Sequence, residues 1–379
     1  MTGPLGDVRV VELGGIGPAP HAGMLLADLG ADVIRVDRVT LASGGRGDRT
    51  RHDLLHRGKR SLAVDLKSAG GVEVILRIVT GCDVLIEGFR PGVVEGLGLG
   101  PEDCLARNPT LVFGRVTGWG QEGPLSHTAG HDIDYLAASG ALGAIGTEDE
   151  PIPPLNLVAD FGGGSLYLVA GVLAGLLSAR ATGEGTVVDA AMVDGVAHLS
   201  TMAHAAIAEG WWGPRRRSNL LDGGAPFYTT YRTADGAHVA VGALEPQFYG
   251  ELVDGLGLDP SELPSQMDRG RWNELRAVFA ARFAARTAAE WESVFSGGDA
   301  CVTVVVGLAD APGQPHMAAR GTFVEVEGVT QPRPAPRFDG RRTLPGTPPH
   351  IGQHTDEILA EAGYAASEIG SLRSQSIIG

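Results

Sequence analysis

The chain has 379 residues, a formal net charge of −15, 43% hydrophobic and 20% charged residues. That length fits two domains or one with a large insertion, each able to bury a core, and the acidity argues against general binding of nucleic acid or anionic membrane. Three scattered cysteines (Cys82, Cys104, Cys301) form neither a CxxC pair nor a disulfide framework, so a reducing, cytoplasmic setting is expected.

"VRVVEL" (8–13) predicts a buried strand, "HAGMLLADLG" (21–30) a helix closed by glycine, and "DVIRVD" (32–37) a second strand. "SLAVDLK" (61–67), "DVLIEGF" (83–89) and "LVFGRVTGWG" (111–120) predict three more strands, with a helix over "GGVEVILRIVTG" (70–81). This alternation predicts an α/β domain with a parallel sheet over residues 1–190. The opening residues show no basic-then-apolar leader. No stretch reaches the roughly 20 apolar residues of a membrane span, and "SLYLVAGVLAGLLSA" (165–179) reads as a buried helix. Residues 185–212 predict a strand running into one long helix, within a linker over 191–224. A smaller α/β domain over 225–330 holds the hairpin around "TADGAH", helices over 246–258, 269–286 and 287–297, and a strand over 300–308. Residues 331–350 are a Pro-rich linker, and 340–379, with a helix N-capped by Thr355, return to the large domain.

Residues 8–37 imitate a dinucleotide-binding motif: a strand, "GGIG", a helix, a strand and Asp37. The match fails at Pro20, where glycine or alanine is required, and Pro18 and Pro20 remove N–H donors a pyrophosphate would use. No Walker lysine and no GxSxG elbow is present. His127/His131 and His350/His354 have helical ligand spacing but no third ligand, so no metal site is expected.

Three residues carry acid/base potential. His131 lies in "GHDIDY", Asp160 in "PLNLVADFGGGS" ahead of an apolar helix, and Glu245 in "VAVGALEPQFY" at a strand end. Read from the residues alone, Asp160 is first an N-cap and Glu245 an ordinary first turn before Pro246, while His131 is equally a structural histidine.

The stretches "GHDIDY", "PPLNLVADFGGG", "LDGGAPFYTTYRTADG", "VAVGALEPQFY" and "GDACVT" resemble the family III CoA-transferases of the CaiB/BaiF superfamily, and within them the α-methylacyl-CoA racemase family. The resemblance covers nearly the whole chain. It implies an interlocked homodimer of chains with a large Rossmann-like domain and a smaller α/β domain, with each active site between one subunit's large domain and the other's small domain. It implies His131 and Asp160 as the two acid/bases, with Glu245 supporting the histidine. It further implies a 2-methylacyl-CoA substrate, epimerised by two-base 1,1-proton transfer through an enolate, with no cofactor beyond the CoA of the substrate itself. The acyl chain, whether branched fatty acyl, bile-acid or sterol, is left open.

The chemistry suits those residue types. Inverting the centre takes a proton from one face and returns one to the other, so two groups are needed, each active near neutral pH. The enolate oxygen needs a fixed donor, and the Asp132 N–H is the candidate, with the Asp132 side chain as an N-cap. The resemblance implies CoA contacts at Arg38, Val64, Asp65, Leu66, Lys67, Arg90, Gly130, Asp132, Ile133, Asp134 and Tyr135, with Ile16 near the thioester. Arg57, Lys59 and Arg60, in the basic stretch 51–61, are further candidates for phosphates. Met192, Met202 and "EGWWG" (209–213) are candidates for an apolar acyl wall. The chain departs from the family pattern after Arg38, where a proline is usual, at Val304, also usually proline, and in "LLHRGKRS", which lacks a common asparagine.

Two alternatives remain at this stage. A family III CoA-transferase would use Asp160 as nucleophile, forming a mixed anhydride. A catalytically silent CoA-binding scaffold would bind without proton exchange. The histidine of "GHD" disfavours the first, and the joint presence of His131, Asp160 and Glu245 disfavours the second.

Overall fold

The computed structural model describes residues 3–42 and 52–379. Arg51, first of the basic stretch, lies outside them. The chain divides into two compact units: Met1–Ser139, Leu155–Leu199 and Pro315–Gly379 form the first, Gly140–Pro154 and Ser200–Gln314 the second.

The first unit is built on a six-stranded parallel sheet in the order β3-β2-β1-β4-β5-β6. Its strands are β1 (Arg9–Leu13), β2 (Asp32–Asp37), β3 (Arg60–Ala63), β4 (Val84–Glu87), β5 (Val112–Thr117) and β6 (Thr186–Ala191). Parallel strands covered on both faces are buried along their length, as β1 from Val10 on, β4 and β5 are, their charged residues Glu12, Glu87 and Arg115 included. The strand order reverses between β1 and β4, which opens a crevice at the carboxyl ends of the strands. Pro18 opens the helix Pro18–Asp28, where a missing N–H costs nothing. Ser68 caps the helix Ala69–Val79, its hydroxyl accepting the Gly71 N–H at 3.0 Å. One core joins Val11, Leu13, Ile34, Leu62, Ile75, Leu85 and Phe113 to Ile358, Leu359 and Ile378 of the C-terminal segment.

Several elements differ from the sequence reading. β4 stops at Glu87 because that carboxylate accepts the Phe89 N–H at 2.7 Å and turns the chain. β3 stops at Ala63, and Val64 instead forms an antiparallel bridge with Ile378. The long helix expected after β6 is two, Met192–Leu199 and Thr201–Ala208, with the unit boundary at Ser200. The apolar helix Leu166–Thr182 continues a π-helical segment, Leu157–Ser165. Together they span 26 residues, long and apolar enough to cross a bilayer, so the expectation that no stretch reaches that length is corrected. Here the helix packs on β5 and β6. His354, not Thr355, occupies the N-cap of the helix Thr355–Glu361, because the Thr355 hydroxyl accepts the Ala63 N–H and donates to Gly352 O.

The second unit pairs β7 (Tyr228–Arg232), β8 (His238–Gly242) and β9 (Val302–Val304) as an antiparallel sheet. Its core is aromatic: Phe227, Tyr231, Trp272, Phe279, Phe283 and Trp291 pack together, with Tyr231 stacked on Phe283 at 5.0 Å. Thr287 and Glu290 close a capping box ahead of the helix Ala288–Phe295.

The boundaries expected at 190 and 225–330 move for identifiable reasons. Residues 140–154 join the second unit, where the Arg216 guanidinium donates to the Thr147, Gly143 and Glu148 carbonyls. The segment after 314 joins the first unit through an antiparallel hairpin, β10 (Phe323–Val326) and β11 (Val329–Pro332), absent from the sequence reading. Arg57 fastens it, donating to Gln331 Oε1 at 2.9 Å and Pro332 O at 2.7 Å while pairing with Asp28. The linker therefore begins after Pro332.

Candidate active site

The crevice at the sheet's carboxyl edge is a cleft of about 1650 Å³. The turn Gly14–Gly17 after β1, Asp37–Thr40 after β2, Val64–Lys67 after β3 and Gly88–Phe89 after β4 line it. Ile16 (84% exposed), Arg38, Val64, Asp65, Leu66 and Lys67 all stand there. Arg38, Lys67 and the exposed Arg90 make no ion pair with any described residue. Arg90 and residues 130–135 are not among the cleft-lining residues.

Three expected phosphate ligands are not available. Arg57 is held by Asp28 and the β10–β11 hairpin. Arg60 pairs with Asp32, Glu357 and Glu361. Lys59 is buried with Glu12, Nζ to Oε2 2.6 Å, and also donates to Pro20 O at 2.9 Å. Gly23 makes room for this pair: a methyl there would meet Glu12 Oε2 at 1.9 Å. Asp37, the carboxylate that a dinucleotide motif would aim at a ribose, accepts from Arg35 and Ser61 instead.

His131 and Asp160 both lie in the first unit. His131 is the exposed N-cap of the helix Asp132–Ala138, and its N–H donates to Asp134 Oδ2 at 2.9 Å. Asp132 is the first helical residue, where an N–H has no intrahelical acceptor. Its side chain is not the N-cap expected. It is buried, and its Oδ1 accepts the N–H groups of Ala159 and Asp160 at 2.9 and 2.8 Å. That carboxylate ties the histidine's helix to the segment carrying Asp160. Tyr135, buried against Gly118, Gly130 and Trp119, anchors the same helix. Burial, reinforced by Asp160 and Asp134, pushes its hydroxyl up to about 12, with Arg90 acting in the opposite sense. Ile133 and Asp134 are exposed.

Asp160 sits in the π-helical segment. Three glycines follow it, and Gly163 is required: a methyl there would stand 2.9 Å from Val196 N, where the helix Met192–Leu199 approaches. Burial pushes the half-buried Asp160 carboxyl above its ordinary value, and the Asp132 charge adds to this, while Asn156 and His131 draw it back. A methyl built on Gly17, at φ +73°, would lie 3.6 Å from Asp160 Oδ2, so the turn after β1 borders both the cleft and the carboxylate.

Glu245 is the exposed N-cap residue of the helix Pro246–Gly255 in the second unit, and its carboxylate makes no capping bond. Met192 packs beneath Gly164 and is core rather than an acyl wall, whereas Met202 and Trp211 are exposed. Of the histidine pairs, His354 Nδ1 accepts the Ser61 N–H and His350 borders the cleft. Among the described residues no three His, Cys, Asp or Glu side chains are placed to hold a metal ion.

The chain is 48% identical over 378 residues to α-methylacyl-CoA racemase of Mus musculus and, equally, of Homo sapiens, covering 99% of this chain and 97% of each relative. It is 29% identical to human succinyl-CoA:glutarate CoA-transferase, over 99% of this chain and 90% of that one. A CaiB/BaiF family protein from Brucella suis superimposes with a TM-score of 0.78 at 28% identity, over 96% of this chain and all of the other. Residues 5–355 match CoA-transferase family III, and the chain belongs to that family.

Proposed function

We propose that the protein is an isomerase that inverts the α-carbon of 2-methylacyl-CoA thioesters by passing protons through His131 and Asp160. The observation that carries this is the pairing of an imidazole with a carboxylate made more basic by burial, both tied together by Asp132 beside the turn that borders the cleft. The relatives named α-methylacyl-CoA racemase, alike over 99% of the chain, support it.

In the reaction one group takes the α-proton, and the C–H electron pair moves onto the thioester oxygen as an enolate. The other group then gives its proton to the opposite face of the same carbon. After one turnover the two groups have exchanged protonation states, and either direction restarts from there. The Asp132 N–H faces the enolate oxygen. The cleft exceeds the ~300–1,000 Å³ of an ordinary small-molecule site, which suits a nucleotide-bearing thioester. Arg38, Lys67 and Arg90 take its phosphates, Val64–Leu66 and Gly130–Tyr135 flank it, and Ile16 approaches the thioester. The transfers need only protein groups.

The active form in this reading is a homodimer in which Glu245 of one copy supports His131 of the other. Its support is the apolar surface the first unit leaves exposed at Leu157, Leu166, Leu177 and Leu199. Light scattering on the eluted protein reads the assembly directly.

The function is tested by incubating the protein with (S)-2-methylacyl-CoA in D2O. Deuterium at Cα together with the R epimer is the expected result. No exchange, with CoA passed from the thioester to a free carboxylate acceptor and the original acyl group released as its acid, overturns it in favour of a transferase with Asp160 as nucleophile.

A further inference from the structure

The π-helical segment that carries Asp160 has little to hold itself in shape. Residues 162–164 are all glycine and contribute no side chains. π-Helical turns are rare and recur at functional sites. On one side Asp132 holds the N–H groups of Ala159 and Asp160. On the other side stands His21, in the first helix. Its ring lies flat on Phe161, centroids 4.2 Å apart at 20°, and its Nδ1 shares a 2.7 Å hydrogen bond with the fully buried Ser165 hydroxyl. These contacts grip the residue immediately after Asp160 and the last residue of the π segment. The His21 N–H also bonds to Gly17 O at 3.2 Å, and Gly17 is the residue that borders the Asp160 carboxylate.

We propose that His21 is a positioning residue for Asp160: through Phe161 and Ser165 it fixes the π-helical turn so that the carboxylate meets the α-carbon from one face. Burial, with Lys59 and Arg57 adding to it, lowers the imidazole to about 4, so the ring is neutral at working pH. It therefore orients Asp160 without a cationic charge that would weaken it as a base. This inference rests on the proton-transfer reading above.

The test uses His21→Phe, which keeps a ring on Phe161 and loses the bond, and Ser165→Ala, which loses the same bond and keeps the stack. Misplacement of a reacting group by under an ångström lowers kcat by about 10- to 100-fold, and this is expected in His21→Phe, with KM changed less than about twofold. The diagnostic readout is the isotope effect on α-deuterated substrate in each direction. Asp160 serves the epimer whose α-proton exchange is lost in Asp160→Asn. In His21→Phe and, more weakly, in Ser165→Ala, the isotope effect should stay large for that epimer and fall towards unity for the other, because delivery from Asp160 then limits the rate. Unchanged kcat, or lowered kcat with equal isotope effects in both directions, overturns the inference. Absence of exchange in the unsubstituted protein overturns the functional reading as well, so the two failures are distinguishable.

Discussion

Replacing Lys59 by methionine isolates what the buried pair beneath the cleft contributes. Both side chains, Lys59 and Glu12, are fully buried, with Nζ 2.6 Å from Oε2. Glu12 Oε1 has no hydrogen-bond partner already. The substitution leaves a buried carboxylate uncompensated, which costs roughly 3–5 kcal/mol, and Pro20 O loses its donor. Each kcal/mol moves Tm by about 2–4 °C in a unit of this size, so a fall of about 6–20 °C is expected. Burial already pushes the Glu12 carboxyl up against Lys59, its main opponent, and without Lys59 the weaker pull of Arg35 is left to oppose it. A raised folded-state pKa adds stability below the unfolded value that is lost as pH rises through the folded one, so the deficit of Lys59→Met should widen with pH. Urea unfolding followed by circular dichroism, at several pH values, reads this directly. Adding Glu12→Gln should recover part of the loss. A deficit below about 1 kcal/mol, the range of a solvent-exposed pair, or one independent of pH, would refute the reasoning.

Other perturbations test neighbouring parts. Gly195→Ala places a methyl 1.9 Å from Gly163 O, which should cost about 1–3 kcal/mol in urea unfolding and lower activity by displacing the π segment. Asp132→Ala frees the N–H groups of Ala159 and Asp160, and should lower kcat by about 10-fold or more in steady-state kinetics. Burial lowers His21 to about 4 and His56 to about 2 from an ordinary 6.5. The stability this represents is complete above 6.5 and is lost as pH falls towards those values. His21→Phe should therefore show a shallower loss of Tm between pH 6.5 and 4 than the unsubstituted protein.

The parallel sheet was legible because its strands are short apolar runs separated by helices of helical period, and β2 was read to the residue at Asp32–Asp37. The crevice lies at the strand ends, where Arg38 and Lys67, named through the resemblance, stand. What the sequence hid is pairing between distant residues. Lys59 reads as a solvated cation in a basic loop, and only the fold brings it to Glu12, 47 positions away. Asp132 reads as an N-cap, but the N–H groups that donate to its Oδ1 lie 27 and 28 residues on. The β10–β11 hairpin had a readable signal in "VEVEGVTQ", where Glu327 and Gly328 take φ of 51° and 78°. The run Gly162–Gly164 signals close backbone approach, and Gly163 meets a helix, yet no local pattern announces a π turn.

Whether His131 and Asp160 serve opposite faces of one carbon is read by α-proton exchange in D2O, measured separately for the two epimers of a 2-methylacyl-CoA with Asp160→Asn and His131→Gln. Each variant should fail to invert the centre yet still exchange the proton of one epimer, and the two variants should retain opposite epimers. Exchange of the same epimer by both, or inversion surviving in either, would contradict the account.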